Sequence, residues 1–191
     1  KFIPKVKEHA AKIQLGKDMG AIIDESSKDR LTKAIDKAKT DGATLLLDGR
    51  AAEAPGSYKG GSWLAPTIIA NTNPEMDCAK NELFGPVLTI LEVNTLEEAM
   101  NLENKSPFGN ATSIFTNNGG AAQYVASRAT NGMIGVNIGV PVPREPFSFG
   151  GTKQSKFGQG DITGQGSLDF WSNMKKITTK WQQQFDNNWM R

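Results

Sequence analysis

Two side chains that could take part in chemistry stand just before a strand-like run of the sequence. In "NELFGPVLTI", residues 81–90, the carboxylate of Glu82 precedes Phe84 by two positions, and a Gly-Pro pair and an apolar run follow. A carboxylate at the start of a parallel strand can reach a ligand at that edge of the sheet and accept hydrogen bonds from ribose hydroxyls. Phe84 offers a flat face to a ring. The same pattern is typical of a solvated carboxylate beside a turn, so the residues alone leave both interpretations open.

Nucleophilic catalysis has weak candidates in this chain. The single histidine, His9, lies on a predicted helix near the start, so a Ser-His-acid set is not expected. The single cysteine, Cys78, has Glu75, Asp77 and Glu82 nearby, and negative charges raise the pKa of a thiol. We therefore predict no catalytic residue among these 191. One cysteine also excludes an internal disulfide and a Cys-rich zinc site, and no metal site is predicted.

The glycine-rich stretch does not match a known nucleotide loop. Residues 150–166 hold six glycines in 17 positions, and "GQGDITG" within them lacks both the spacing and the preceding strand of a dinucleotide fingerprint. Phosphate binding by this stretch alone is therefore not favoured. A long, tightly shaped loop is expected instead.

Composition narrows the class of protein and its partners. The net charge is +2, from 22 basic and 20 acidic residues, without a basic stripe. Nucleic acid is therefore not an expected partner. No apolar run reaches membrane-spanning length, so no membrane association is expected either. A lone cysteine fits a reducing compartment, which is the cytoplasm or, in a eukaryote, the mitochondrial matrix. The start lacks a signal peptide's apolar stretch and an initiator Met, which suggests that the chain begins inside a longer protein.

Periodicity predicts an alternation of strands and helices. Apolar positions at helical spacing predict helices over 2–14, 26–40, 95–104, 119–129 and 166–174. Short apolar runs predict strands within 44–49, 63–70, 87–93, 111–116 and 132–140. This order is typical of βαβ units, so the predicted fold is α/β, a parallel sheet with flanking helices.

Helix ends are marked by capping residues. Ser26 or Ser27 offers an N-cap to the second helix, and Gly42 offers its stop. Thr95 and Glu98 have the spacing of a capping box at the start of the next long helix.

The C-terminal third has a different character. The prolines of "PVPREPFSFGG" exclude the interior of a sheet. "KKITTKW", residues 175–181, alternates like an exposed edge strand, which invites pairing either within the chain or with another subunit. The expected segments are an α/β portion over 1–140, a loop and helix over 141–174, and an oligomerisation strand and tail over 175–191.

Three motifs in this order resemble the C-terminal part of the aldehyde dehydrogenase superfamily. "NELFGPVLTI" is similar to that family's E-x-F-G-P-V segment, and "PFSFGGTKQSKFG" is similar to its P-F-G-G-x-K-x-S loop. "GSLDFWSNMKKITTKW" resembles its closing helix and oligomerisation strand. The resemblance covers essentially the whole chain, and it is strongest to the CoA-acylating branch, whose substrates are methylmalonate and malonate semialdehyde.

The resemblance implies roles for five residues. On the family pattern, Glu82 hydrogen-bonds the nicotinamide ribose of NAD, and Phe84 packs by the nicotinamide ring. Phe149 lines the aldehyde tunnel with Phe147 close by, and Asn137 ends the strand beneath the site and supports it.

The resemblance also implies what this chain lacks. The family nucleophile is a cysteine that precedes the point where these residues begin, and the cofactor-binding domain lies earlier still. The fragment alone is therefore expected to be inactive. The whole protein is expected to be a homo-oligomer, either a dimer or a tetramer.

Three functions follow as alternatives. The main expectation is an NAD-dependent semialdehyde dehydrogenase that passes its acyl group to CoA. Arg144 and Glu145 stand where close relatives of that branch are apolar, so a hydrolytic enzyme that gives a free acid is the second possibility. A non-catalytic oligomerisation or binding module is the third.

Overall fold

The protein is described by a computed structural model that covers residues 2–53, 56, 58 and 60–181. The chain divides between Ser106 and Pro107 into two compact units. The three segments predicted from the sequence, with bounds at residues 140 and 174, were defined by their expected roles in a whole enzyme. They stay a prediction.

The first unit is a three-stranded sheet with helices. Its elements are α1 (Phe2–Ala11), α2 (Glu25–Thr40), β1 (Thr44–Leu47), a 3-10 turn (Gly49–Ala51), β2 (Thr67–Ala70), α3 (Asp77–Lys80), β3 (Val87–Thr89) and α4 (Leu96–Lys105). The strand order is β1-β2-β3. β2 and β3 are parallel, as predicted, with Ile68 opposite Leu88.

β1 differs from the prediction, because it pairs antiparallel with β2. A parallel pair needs a crossover, usually a helix, to return the chain to the same edge. The connection from β1 to β2 has only the 3-10 turn among its described residues. The chain therefore reverses direction at this point.

The core of the first unit lies between α2 and the sheet. All four residues of β2 are buried, and Ile69 packs with Ala38, Met76 and Cys78. α2 turns Leu31, Ile35 and Ala38 inward at i, i+4 and i+7. This is the apolar stripe that the sequence predicts, and burying it stabilises a helix that would be marginal alone.

The N-cap of α2 is Asp24, so the prediction of Ser26 or Ser27 was wrong. Asp24 has extended backbone, and its carboxylate accepts a hydrogen bond of 2.6 Å from the Ser27 N–H. This backbone bond lowers the pKa of Asp24. Because the Asp24 carboxylate binds the Ser27 N–H, the helix begins at Glu25, and both serines lie inside its first turn. The predicted stop is confirmed, since the Gly42 N–H donates to the Lys39 carbonyl.

The cap of α4 is nearly the predicted capping box. Thr95 Oγ1 accepts from the Glu98 N–H at 3.0 Å. The Glu98 carboxylate accepts from the N–H of Asn94 at 3.0 Å, one residue before the expected Thr95 N–H. Two N–H groups at this helix start are thus satisfied by side chains.

The second unit contains the predicted βαβ arrangement. Its elements are β4 (Phe108–Gly109), β5 (Ala111–Ile114), α5 (Gly119–Arg128), β6 (Met133–Val136), β7 (Thr152–Lys153) and α6 (Gly164–Trp171). β5 and β6 pair in parallel, joined by α5. β4 pairs antiparallel with β7. These two-residue strands, and the four-residue α3, are too short to show a period, so the sequence did not predict them.

The predicted oligomerisation strand is unpaired in the described part of the chain. Residues 175–181 are exposed and have no strand assignment there. No described residue pairs with this edge, so the strand stays a prediction. The remainder of the predicted tail, 182–191, lies outside the described residues. Among the residues that the structure does describe, no helix is long and apolar enough to cross a bilayer.

The α4 cap gives a stability prediction. Thr95→Ala removes the hydroxyl that accepts from Glu98, so we expect the free energy of unfolding in urea to fall by about 1 kcal/mol. Thr95→Ser keeps the hydroxyl and is expected to retain most of the stability. Equal stability of the wild type and the alanine variant would show that this hydrogen bond contributes nothing.

Candidate functional site

The turn at residues 83–85 is fastened to α2 from one side. Leu83 is half-buried and packs on the core cluster. Its carbonyl accepts a hydrogen bond of 2.7 Å from Arg30 Nη1. Gly85 lies against Leu31, where an added Cβ would come within 2.5 and 2.7 Å of the two methyl carbons. Since Leu31 is fully buried, neither side of this contact can easily give way.

Phe84 is directed outward by this arrangement. Its φ is +53°, and its side chain is 82% exposed. Positive φ in a bulky residue is rare and is kept only where the surroundings fix it. Here the flanking Leu83 packs on the core cluster, and Gly85 lies against Leu31. An exposed aromatic ring in a strained, fixed backbone is typical of a binding position.

Glu82 stands exposed beside the same turn. Within the described part of the chain, its carboxylate has no hydrogen bond or ion pair. Neighbouring charges do have partners, since Glu75 pairs with Lys80 at 2.6 Å. Glu82 therefore offers both carboxylate oxygens to a ligand. The two predicted residues, Glu82 and Phe84, stand two positions apart at this turn, and both are exposed.

Cys78 is placed as a core residue. It lies on α3 and is 6% exposed. Burial raises the pKa of its thiol, with smaller contributions from Asp41 and Asp77, while a hydrogen bond with Thr89 acts in the opposite direction. The predicted upward shift is confirmed, although burial outweighs the acidic neighbours that the sequence suggested. A buried, protonated thiol is a poor nucleophile.

The remaining candidates for catalysis or metal binding also have ordinary places. His9 is exposed on α1. Over the described ranges, no group of three His, Cys, Asp or Glu side chains is placed to hold a metal ion.

In the second unit, the loop with Phe147 and Phe149 is pinned to the start of α6. The Phe149 N–H donates to Thr163 Oγ1 at 2.7 Å. Ser148 Oγ accepts from the Gly166 N–H at 3.2 Å. Gly164 has φ +56°, and an added Cβ would lie 2.6 Å from the Pro146 carbonyl oxygen. The loop backbone therefore has little freedom.

The aromatic side chains on this loop stay accessible. Phe147 is 72% exposed and Phe149 is 41% exposed. The glycine-rich stretch after them is the shaped loop that was expected, because it contains β7 and a Lys156–Asp161 ion pair of 2.7 Å.

Asn137 directly follows Val136, the last residue of β6, and so stands at the end of the strand as predicted. Its φ is +58°, and its side-chain amide holds the backbone of Thr116 on both sides. Oδ1 accepts from the Thr116 N–H at 2.8 Å, and Nδ2 donates to the Thr116 carbonyl at 3.0 Å. This amide is a support for the ends of β5 and β6.

Several residues that shape the site were missed from the sequence. They are Arg30 in the first unit, and Ser148 and Thr163 in the second. Arg30 lies 53 positions from the carbonyl that it binds, and the two hydroxyl contacts span 18 and 14 positions. No local pattern could have indicated such pairs.

The model of the aldehyde dehydrogenase family matches residues 1–177. The chain belongs to the aldehyde dehydrogenase family. The family expected from the three motifs is thereby confirmed.

Within the family, the chain is similar to relatives and solved structures of one kind of enzyme. The chain is 40% identical over 190 residues to the acylating methylmalonate-semialdehyde/malonate-semialdehyde dehydrogenase, mitochondrial, of Homo sapiens, with 96% of this chain covered. It spans 35% of that relative's length. The crystal structure of methylmalonate-semialdehyde dehydrogenase from Oceanimonas doudoroffii aligns with a TM-score of 0.90 and 34% identity, over 94% of this chain and 38% of the other.

A more distant member of the family has been solved with its cofactor. Betaine aldehyde dehydrogenase from Staphylococcus aureus, in complex with NAD+, aligns with a TM-score of 0.80 and 31% identity. The alignment covers 89% of this chain and 34% of the other. The α/β fold with flanking helices is thus shared across these aldehyde dehydrogenases.

The packing of Gly85 gives a second prediction. Gly85→Ala places a methyl group against the buried Leu31, and overpacking should lower the free energy of unfolding by about 1–3 kcal/mol. Gly20→Ala is the matched control, because no heavy atom lies within 4 Å of its added Cβ. Urea unfolding of both variants checks the contrast, and equal stabilities would contradict the close contact.

A third prediction concerns Cys78. Because the thiol is buried and its pKa is raised, iodoacetamide at neutral pH should leave Cys78 unmodified in the folded protein. Peptide mass spectrometry should show full alkylation once guanidinium chloride unfolds it. Rapid labelling under native conditions would contradict the burial of this side chain.

Proposed function

We propose that this chain forms the C-terminal part of an NAD-dependent semialdehyde dehydrogenase that transfers its acyl group to CoA. The observation that carries the proposal is the turn with an exposed Phe84 ring and a Glu82 carboxylate that no described residue pairs with. Support comes from family membership and from the similarity to the human acylating enzyme over 96% of the chain.

The residues on this turn fit the nicotinamide end of NAD. A ribose carries two hydroxyl donors, and the free carboxylate of Glu82 can accept from both. The Phe84 ring offers an apolar face to the nicotinamide. When bound, NAD supplies the acceptor for the hydride that leaves the aldehyde carbon. The role of this turn is to hold the ring and its ribose in a fixed orientation, which the packing against α2 makes possible.

The loop in the second unit would supply a wall for the aldehyde. Phe147 and Phe149 are exposed aromatic side chains on a backbone that α6 pins in place. Apolar side chains of this kind exclude water from a reacting carbonyl. Since Cys78 is buried with a raised pKa, the attacking thiolate would come from a part of the whole enzyme beyond these 191 residues. We therefore expect these residues alone to be inactive.

The proposal extends to partners and location. The substrate would be a small semialdehyde such as methylmalonate or malonate semialdehyde, and CoA would be the acyl acceptor. Residues 175–181 would pair with another subunit to form a dimer or a tetramer. The human relative is named as mitochondrial, which favours the mitochondrial matrix in a eukaryote and the cytoplasm otherwise.

A second candidate is a hydrolytic aldehyde dehydrogenase that releases a free acid. The sequence "FGGTKQS" favours it, because this stretch resembles the general superfamily loop. Product analysis of the full-length protein with and without CoA separates the two. A thioester formed only with CoA supports the acylating enzyme, and a free acid formed at an undiminished rate without CoA supports the hydrolytic one.

The cofactor role of Glu82 gives a fourth prediction. In the full-length enzyme, Glu82→Gln keeps one acceptor oxygen but loses the charge, and charge-assisted hydrogen bonds are roughly twice as strong as neutral ones. We expect kcat/KM for NAD to fall about tenfold, with the unfolding midpoint unchanged. Steady-state kinetics with varied NAD measures this.

A matched control uses another exposed carboxylate. Glu97→Gln removes an exposed charge from the first turn of α4, and it should leave kcat/KM for NAD at the wild-type value. Unchanged kinetics in the Glu82 variant would remove the cofactor role from this residue.

A further inference from the structure

Arg144 differs from the other arginines that the structure describes. Arg30 donates to the Leu83 carbonyl, Arg50 pairs with Asp48 and Asp36, and Arg128 lies 4.1 Å over the centre of the Tyr124 ring. Arg144 is exposed.

Within the described part of the chain, the Arg144 guanidinium has no hydrogen bond or ion pair, and the adjacent Glu145 carboxylate does not pair with it. A planar cation with five donors is thus exposed, without an acceptor among the described residues.

The backbone of Arg144 occupies a fixed place next to the aromatic residues. Its carbonyl accepts a hydrogen bond of 3.0 Å from the Phe147 N–H, so the two residues close one turn. The Gln165 N–H, in α6, donates to the Pro146 carbonyl inside that turn at 3.3 Å. Arg144 and Phe147 therefore start and end a turn that the helix holds.

The chemistry of this pairing indicates a ligand with an anionic and an apolar part. A guanidinium binds a carboxylate through two parallel N–H···O bonds, a geometry that a lysine cannot reproduce. The Phe147 ring at the other end of the turn can contact the apolar, carbon-containing part of the ligand. A short aldehyde that also carries a carboxylate has both features.

We propose that Arg144 binds the carboxylate of the aldehyde substrate and so selects acidic aldehydes over neutral ones. This inference rests on the proposed function, because it assumes that the turn ending at Phe147 lies along the path of the aldehyde. A phosphate of CoA offers the same anionic chemistry. The aldehyde is favoured because the arginine shares its turn with the residue assigned to the aldehyde wall.

The test compares two aldehydes in the full-length enzyme with NAD. Malonate semialdehyde carries the carboxylate, and propanal has the same carbon count without it. Arg144→Leu should raise KM for malonate semialdehyde about 10- to 100-fold, the range expected for one hydrogen-bonded charge pair. KM and kcat for propanal should stay at wild-type values. Arg144→Lys should restore part of the preference, because it keeps the charge but not the bidentate geometry.

Glu145→Gln serves as the matched control. It removes the neighbouring exposed charge from the same turn, and it should not raise KM for malonate semialdehyde. Thermal unfolding of each variant checks that the protein is folded. If the leucine variant fails to fold, the two aldehydes are compared in the lysine variant.

Other outcomes would overturn the proposal in different ways. An equal loss on both aldehydes would indicate a structural role for Arg144, and an unchanged ratio would exclude recognition of the carboxylate. A raised KM for CoA alone would assign the guanidinium to a phosphate. A wild-type enzyme that oxidises neither aldehyde with NAD would overturn the proposed function itself, whereas oxidation of both without preference would overturn only the role of Arg144.

Discussion

The contact between α2 and the turn at residues 83–85 is the constraint on which the candidate cofactor position depends. Gly85 lies on a fully buried Leu31, and one residue earlier in α2 Arg30 holds the carbonyl of Leu83. The helix therefore fixes the backbone immediately before and after Phe84. The ring is exposed, and the packing on both sides of Phe84 accounts for its φ of +53°. Such strain costs on the order of 1–3 kcal/mol, which burial of the apolar stripe of α2 readily offsets.

In the second unit, hydrogen bonds to a helix fix the backbone of the aromatic loop. The first N–H groups of α6 have no acceptor within the helix. One of them, that of Gly166, donates a hydrogen bond to Ser148 Oγ on the aromatic loop. Thr163 accepts from the N–H of Phe149. The absence of a Cβ at Gly164 allows the loop to approach this closely. In both units a helix fixes a backbone whose exposed side chains contribute little to the core.

Elements whose determinants are local in sequence were the predictable part of the structure. The apolar stripe of α2 and the hydroxyl cap at Thr95 follow from spacing within one or two helical turns. The cap at Asp24 was missed because an acid and two serines compete within four positions, and only backbone geometry decides between them. The antiparallel direction of β1 was missed because an apolar run contains no information about its partner's direction.

The candidate site was predictable in its residue types but not in its geometry. An acid and an aromatic before a Gly-Pro turn indicated Glu82 and Phe84, and the family resemblance assigned them a role. The conformation of Phe84 could not be read locally, because a phenylalanine takes positive φ only when distant residues impose it. The Arg30 contact spans 53 positions, and it becomes visible only when α2 is packed on the sheet.

The separation of exposed from supporting residues has a consequence for how this family can vary. Phe84, Arg144 and Phe147 make few contacts that hold their units together, whereas Leu31, Leu83 and Thr163 hold the backbones that present them. A change in the first group should cost little stability, because exposed side chains leave no cavity and no unpaired buried group when replaced. A change in the second group displaces the backbone and affects binding and stability together. The side chain at a position such as Arg144 can therefore change while the fold that presents it is retained.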